Sequence, residues 1–187
     1  VLNAHMHDGR WERCECHSVF GKTLGIVGMG KIAYETARRA CAFGMNVLYY
    51  DAVSNEKAEK AFGAARKSLD EVLAKADFVT VHLPLTEQTR GFFDYPTICK
   101  MKKSAYLINT ARGPIVDENG LYQAVKLGKI AGAAIDVFDC EPKEDSILRE
   151  LDNVILTPHV GTFTKEIFIR MDVVAAQNVI DFFENKR

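Results

Sequence analysis

Thr23-Leu24-Gly25-Ile26-Val27-Gly28-Met29-Gly30-Lys31-Ile32-Ala33 is the stretch on which the fold turns. Its first five residues are an apolar run of strand length, and Ile32, Ala33, Ala37, Ala40 and Cys41 then share one helical face. Between the two lies Gly28-x-Gly30-x-x-Ala33, the spacing G-x-G-x-x-G/A. The first glycine permits a tight turn, the second lets backbone approach a pyrophosphate, and Ala33 keeps helix and sheet close. The helix N-terminus offers unpaired N–H groups and the positive end of its dipole to phosphate oxygens. A second apolar run, Val47-Leu48-Tyr49-Tyr50, ends on Asp51, 18 positions beyond Ala33. A carboxylate there accepts hydrogen bonds from ribose hydroxyls and repels a 2′-phosphate, so the expected cofactor is NAD rather than NADP. The alternative is a turn that merely needs glycine, with Asp51 a solvated strand end. Strand, turn, helix and acid occurring together favour the cofactor.

Outward from this unit, short apolar runs alternate with segments of helical period, the pattern of βα units on a parallel sheet. Gly44 stops the first helix, and Ser68 with Glu71 forms a capping box ahead of the stripe Leu69, Val72, Leu73 and Ala76. Phe78–Val81, Ala105–Ile108, Ala133–Val137 and Val154–Leu156 read as further strands. Asp117 and Glu118 sit in the first turn of a helix that ends at Gly128, where their charge suits the helix dipole. Ile167, Phe168, Met171, Val174, Ala175, Val179 and Phe182 predict a buried face on a long closing helix. The expected architecture is α/β, a Rossmann-type doubly wound parallel sheet of about six or seven strands forming a single nucleotide-binding domain. It spans residues 19–187, after a polar, aperiodic N-terminal segment 1–18.

Composition narrows the function. In 187 residues, 24 Lys+Arg face 25 Asp+Glu with no long basic stripe, which argues against a nucleic-acid partner. No run approaches the roughly 18 apolar residues of a membrane span, and no signal-peptide pattern opens the chain. Five cysteines at no scaffold-like spacing read as reduced thiols, so a cytoplasmic location is expected. The opening Val1 suggests a processed or partial chain.

Chemistry is expected outside the carboxyl ends of the strands. Arg112 follows the fourth expected strand, Glu141 the fifth and His159 the sixth. Hydride transfer to a keto acid needs a cation for the carboxylate, a proton donor for the carbonyl oxygen and a group to hold that donor. Arginine supplies a planar bidentate fork, histidine donates protons near neutral pH, and a neighbouring carboxylate orients the ring. Singly, each residue is better read as a surface charge or a structural histidine. Together, at three successive strand ends beside a dinucleotide turn, they form a candidate acid–base site.

Five stretches then resemble one family, the D-isomer-specific 2-hydroxyacid dehydrogenases. They are Gly21 to Ile32, Val81-His82-Leu83-Pro84-Leu85-Thr86, Leu107 to Gly113 with Val116-Asp117-Glu118, Asp136 to Pro142, and Thr157-Pro158-His159-Val160-Gly161. Gly9-Arg10-Trp11 also resembles the family's approach to its first strand, and phosphoglycerate dehydrogenases and glyoxylate/hydroxypyruvate reductases lie nearest. The resemblance makes Arg112 the substrate-binding arginine, His159 the proton donor and Glu141 its partner. It sets Lys31 and Ile32 at the pyrophosphate, Asp51 at the adenosine ribose, and Leu83, Thr110 and Ala111 along the cofactor. Asp136 would meet the nicotinamide carboxamide, with His159, Val160, Gly161 and Thr162 closing that side. Thr162 and Phe163 stand where the family usually has small residues. The resemblance also implies a 2-keto or 2-hydroxy acid as substrate, a homodimer, and a substrate domain that this chain lacks. The chain alone is therefore expected to bind NAD(H) but turn over keto acids poorly or not at all.

His5, His7, Cys14, Cys16 and His17 cluster, but Cys-x-Cys without a second pair is a poor zinc spacing, so no metal site is expected. His82 reads as structural, and Trp11, Phe20, Phe92 and Phe93 as packing residues or subunit contacts. The functional alternative is an NAD-sensing regulatory module resembling the C-terminal-binding-protein corepressors, which share the glycine turn, the acid and a similar triad.

Overall fold

A computed structural model describes residues 2–13 and 15–184. In chain order its elements are α1 (Leu2–His7), β1 (Thr23–Val27), α2 (Lys31–Ala42), β2 (Asn46–Tyr50), α3 (Glu56–Phe62), β3 (Ala65–Arg66) and α4 (Leu69–Lys75). They continue as β4 (Phe78–Val81), α5 (Tyr95–Ile98), β5 (Tyr106–Asn109), α6 (Glu118–Lys126), β6 (Gly132–Ile135), β7 (Val154–Leu156) and α7 (Lys165–Glu184). All seven strands are parallel, in the order β3-β2-β1-β4-β5-β6-β7. The chain winds from β1 toward β3, then returns to lay β4 on the other side of β1. Val27, the last residue of β1, is thus flanked by Tyr50 and Val81. That reversal leaves a crevice at the carboxyl ends of β1 and β4, where ligands bind in sheets of this kind.

Alternation along the strands builds two cores. Leu24 and Ile26 of β1, with Val47 and Tyr49 of β2, pack under Ala33, Ala37 and Ala40 of α2 and Ala58 of α3. Val27, Val79, Val81 and Leu107 face the opposite layer, with Leu73 of α4 and Leu121 and Ala124 of α6. Small residues on α2 allow its close approach to the sheet. Ser68 caps α4 reciprocally with Glu71, and Gly44 and Gly128 take positive φ just past α2 and α6, as the sequence predicts.

Two expectations need correction, and some short elements have no counterpart among them. The strand expected at Ala133–Val137 ends at Ile135, which turns Asp136 and Val137 into the following loop. The short elements α3, β3 and α5 carry too few apolar positions to register as periodic segments. The closing helix α7 forms, but none of its residues is buried, and Phe168, Met171, Val174, Val179 and Phe182 are all exposed. Its apolar stripe is real but, Ile167 apart, stays exposed. Periodicity reports that a face suits burial and is silent about what covers it. No helix among the described residues is long and apolar enough to cross a membrane.

Candidate active site

The Gly28 turn is fixed by contacts no other residue could make. Its φ is +96°, and a Cβ there would stand 2.9 Å from the carbonyl carbon and oxygen of His82. Its amide donates to the Tyr50 carbonyl at 2.8 Å, joining the turn to the end of β2. At Gly30 a Cβ would meet nothing within 4 Å, so the backbone opening α2 borders free space. Gly30 caps this 12-residue helix without any side-chain hydrogen bond. Its first amides are therefore left for a ligand. Asp51 lies at the end of β2, with Oδ2 accepting from the Met29 amide at 2.7 Å and Oδ1 from that of Val53 at 3.0 Å. Each carboxylate oxygen keeps acceptor capacity for a ribose hydroxyl.

A cleft of about 710 Å³ opens at the switch point, between Gly30–Ala33, His82–Leu85 and Thr110–Arg112. It gathers Gly30, Lys31, Ile32, Leu83, Thr110 and Ala111 from the expected cofactor set, together with Arg112 of the expected acid–base site. An open glycine corner, an uncapped helix N-terminus and a carboxylate at the neighbouring strand end together fit a dinucleotide: pyrophosphate at the amides, ribose at Asp51. His82 sits in the wall with Nε2 3.1 Å from the Thr80 hydroxyl, and burial holds its imidazole below the ordinary value. A second cavity, of about 380 Å³, lies beyond Gly113 toward Val116, Leu121 and Phe138, away from the glycine turn.

The acid–base candidates form a second group. His159 Nδ1 lies 2.7 Å from Glu141 Oε2, and Glu141 Oε1 accepts from the Phe138 amide at 2.9 Å. The bond from His159, then that from Phe138, hold the Glu141 carboxyl below its ordinary value, so it is ionised at neutral pH. His159 has φ +52°, the single positive value among the described non-glycine residues. A side chain in that region is strained, and strain persists where surroundings over-determine it. The surroundings here are Asp136, which is 7% exposed. Its Oδ1 accepts from Thr157 Oγ1 at 2.5 Å and from the Val160 amide at 2.9 Å, and its Oδ2 from the Gly161 amide at 3.1 Å. Asp136 thus grips the chain on both sides of His159. Thr162 and Phe163 follow outside this grip; the Phe163 ring meets Phe168 edge-on at 4.9 Å.

Burial pushes the Asp136 carboxyl up, but the donors from Thr157, Val160 and Gly161 outweigh it and leave it below the ordinary carboxylate value. A depressed folded value stabilises fully above the unfolded pKa of about 3.9 and is lost as pH falls through the folded one. The His159 loop should therefore stay clamped from neutral pH down to about pH 4 and loosen only below it. Val160 and Gly161 amide resonances followed through a pH titration check this; loosening between about pH 7 and pH 5 would contradict it.

Two groups missed in the sequence complete the site. Asn109, 1% exposed at the end of β5, donates Nδ2 to the Arg112 carbonyl and accepts from the Ala111 amide, both at 3.0 Å. It shapes the loop that presents Arg112, whose side chain is exposed and donates to the Ala111 carbonyl at 2.6 Å. At Gly113 a Cβ would stand 1.9 Å from the Phe138 carbonyl carbon, so this loop lies directly against the one carrying Glu141. The only signal for Asn109 was an amide ending an apolar strand; Gly113 gave none beyond its type. Among the described residues no three His, Cys, Asp or Glu converge as metal ligands, and Cys14 lies outside them.

Comparisons with known proteins bear on the family and the fold. The sequence profile of the D-isomer specific 2-hydroxyacid dehydrogenase, NAD binding domain, matches residues 2–161. The chain is 46% identical over 167 residues to a glyoxylate reductase of Korarchaeum cryptofilum, covering 89% of the chain and 50% of that protein. It is also 46% identical over 164 residues to a D-3-phosphoglycerate dehydrogenase of Bacillus subtilis, covering 88% of the chain and 31% of that protein. The D-lactate dehydrogenase of Aquifex aeolicus, crystallised with NAD and lactic acid, superposes with a TM-score of 0.88 at 32% identity, covering 98% of this chain and 61% of that one. The chain thus spans about half or less of the curated relatives named here.

Proposed function

The chain belongs to the D-isomer-specific 2-hydroxyacid dehydrogenases, as their NAD-binding domain, and from that premise we propose that it serves reversible hydride exchange between NAD(H) and a small 2-keto or 2-hydroxy acid. The observation that carries the reading is the His159–Glu141 pair at 2.7 Å, held by the Asp136 clamp beside a dinucleotide cleft. NADH, when bound, supplies the hydride. Gly30, Lys31 and Ile32 hold the pyrophosphate at the start of α2, and Asp51 holds the ribose. Leu83, Thr110 and Ala111 border the cofactor's path, and Asp136, Val160, Gly161 and Thr162 lie on its nicotinamide side. Glu141 fixes the imidazole through Nδ1, so His159 hands the proton on Nε2 to the substrate's carbonyl oxygen. The Arg112 fork pairs with the substrate carboxylate.

Arg112, Glu141 and His159 are all exposed, so these residues supply one wall of a cleft. We therefore expect the chain alone to bind NADH with little or no keto-acid turnover. A chimera in which it replaces the matching segment of the Korarchaeum cryptofilum glyoxylate reductase should oxidise NADH with glyoxylate, hydroxypyruvate or 3-phosphohydroxypyruvate. A folded chimera that binds NADH and reduces none of them would favour the NAD-sensing alternative. The exposure of Trp11 and Phe20, 75% and 76%, supports a homodimer, and Cys41, Cys99 and Cys140, which form no disulfide, suit the cytoplasm.

A further inference from the structure

The cavity of about 380 Å³ beyond Gly113 has no part in the chemistry assigned above. Its floor is aliphatic: Val116, Leu121, Ile135, Val137 and Leu148 line it, and all five are buried. Such a volume and lining suit a small organic molecule, which a few polar groups then orient. Charge of both signs stands around this floor. Arg90 borders the cavity, and its guanidinium makes no hydrogen bond or ion pair among the described residues. Asp117, Glu118 and Asp139 border it too. Glu118 is engaged, with Ser146 Oγ donating to Oε1 at 2.8 Å and Lys143 Nζ 3.9 Å from Oε2. Asp117 Oδ1 accepts from the Asn119 amide at 3.2 Å, and Asp139 Oδ1 lies 3.3 Å from Lys143 Nζ. Each of these two carboxylates keeps its second oxygen uncommitted. Arg90 is thus unpaired although three carboxylates share its cavity. Cation and acids are held apart, as the two ends of a dipolar ligand require.

We propose that this cavity is a binding site for an α-amino acid with an aliphatic side chain. The ligand's carboxylate meets the Arg90 fork, its ammonium meets Asp117 and Asp139, and its side chain lies on the apolar floor. A planar guanidinium takes a carboxylate bidentately, and charged bonds strengthen where an apolar floor keeps water out. A plain carboxylate would leave the two acids facing an apolar body, and a plain amine would leave Arg90 unanswered. A ligand carrying both charges satisfies both. The site is separate from the dinucleotide cleft and does not rest on the NAD reading. Its walls nonetheless reach both loops of the acid–base group: Gly113 directly follows Arg112, and Val137, Phe138 and Asp139 lead into Glu141. An occupant therefore lies against the segments that present Arg112 and Glu141.

Three probes test this by NMR titration of the isotope-labelled chain: L-leucine, isocaproate (leucine without its ammonium) and isoamylamine (leucine without its carboxylate). L-Leucine should saturate, shifting the amides of Gly91, Val116 and Phe138 while those of Gly30 and Lys31 at the cofactor cleft stay in place. Each one-charge probe should bind at least about tenfold more weakly, a difference of about 1.4 kcal/mol. Arg90→Gln should weaken L-leucine by at least about tenfold and should not weaken isoamylamine. Asp117→Asn combined with Asp139→Asn should weaken L-leucine but not isocaproate, and asparagine still caps α6. The three probes act on the parent chain, so the comparison among them decides even where a variant fails to fold. Four results would each overturn the site. They are no saturable shift with L-leucine in the folded chain, shifts confined to the glycine turn, a one-charge probe that binds as tightly as L-leucine, or an L-leucine affinity indifferent to Arg90→Gln.

Discussion

In the glyoxylate reductase chimera, His159→Asn is expected to cut keto-acid reduction by about 10²- to 10⁴-fold, the range a positioned general acid contributes. Asparagine is chosen because it tolerates the left-handed backbone at φ +52°, so the loop survives while the transferable proton is lost. Glu141→Gln tests the same pair from the other side. Glutamine still reaches the imidazole but carries no charge to stabilise its protonated form, so turnover should fall by a smaller factor with a changed pH profile. Steady-state rates across pH separate these effects. Asp136 offers a third view, since it touches the loop rather than the ring. If His159→Asn retained more than about a tenth of the parent rate, His159 would not be the proton donor.

Gly113→Ala should destabilise the chain by about 3 kcal/mol or more, among the largest effects open to one methyl group. The added Cβ would fall 1.9 Å from the Phe138 carbonyl carbon and 2.4 Å from the Asp139 nitrogen, both backbone atoms that no rotamer change can clear. Relief requires the Arg112 and Glu141 loops to part, so stability and the alignment of the site should be lost together. Chemical denaturation of parent and variant measures the first. A difference under about 1 kcal/mol would mean that the two loops are not in contact in solution.

The glycine turn and the sheet around it were legible because several local signals agreed: an apolar run, the G-x-G-x-x-A spacing, a small-residue helix face and Asp51 at the next strand end. The layers follow from alternation, as when Ile26 and Val27 enter opposite cores. What stayed hidden is what depends on distance in space. Asp136 reads as an acid at a strand end, yet its three bonds to Thr157, Val160 and Gly161 span 21 to 25 residues of chain. Asn109 looks like the polar close of a strand until its amide is seen bridging Ala111 and Arg112. The stripe on α7 is legible as apolar, but its expected burial depended on a covering surface that the helix's own sequence does not encode.

Calorimetric titration of NADH into this chain decides whether it is a cofactor-binding domain. Saturable binding of one NADH per chain and weaker binding of NADPH are expected. A chain that melts cooperatively, and so is folded, but gives no heat of binding with NADH would contradict it.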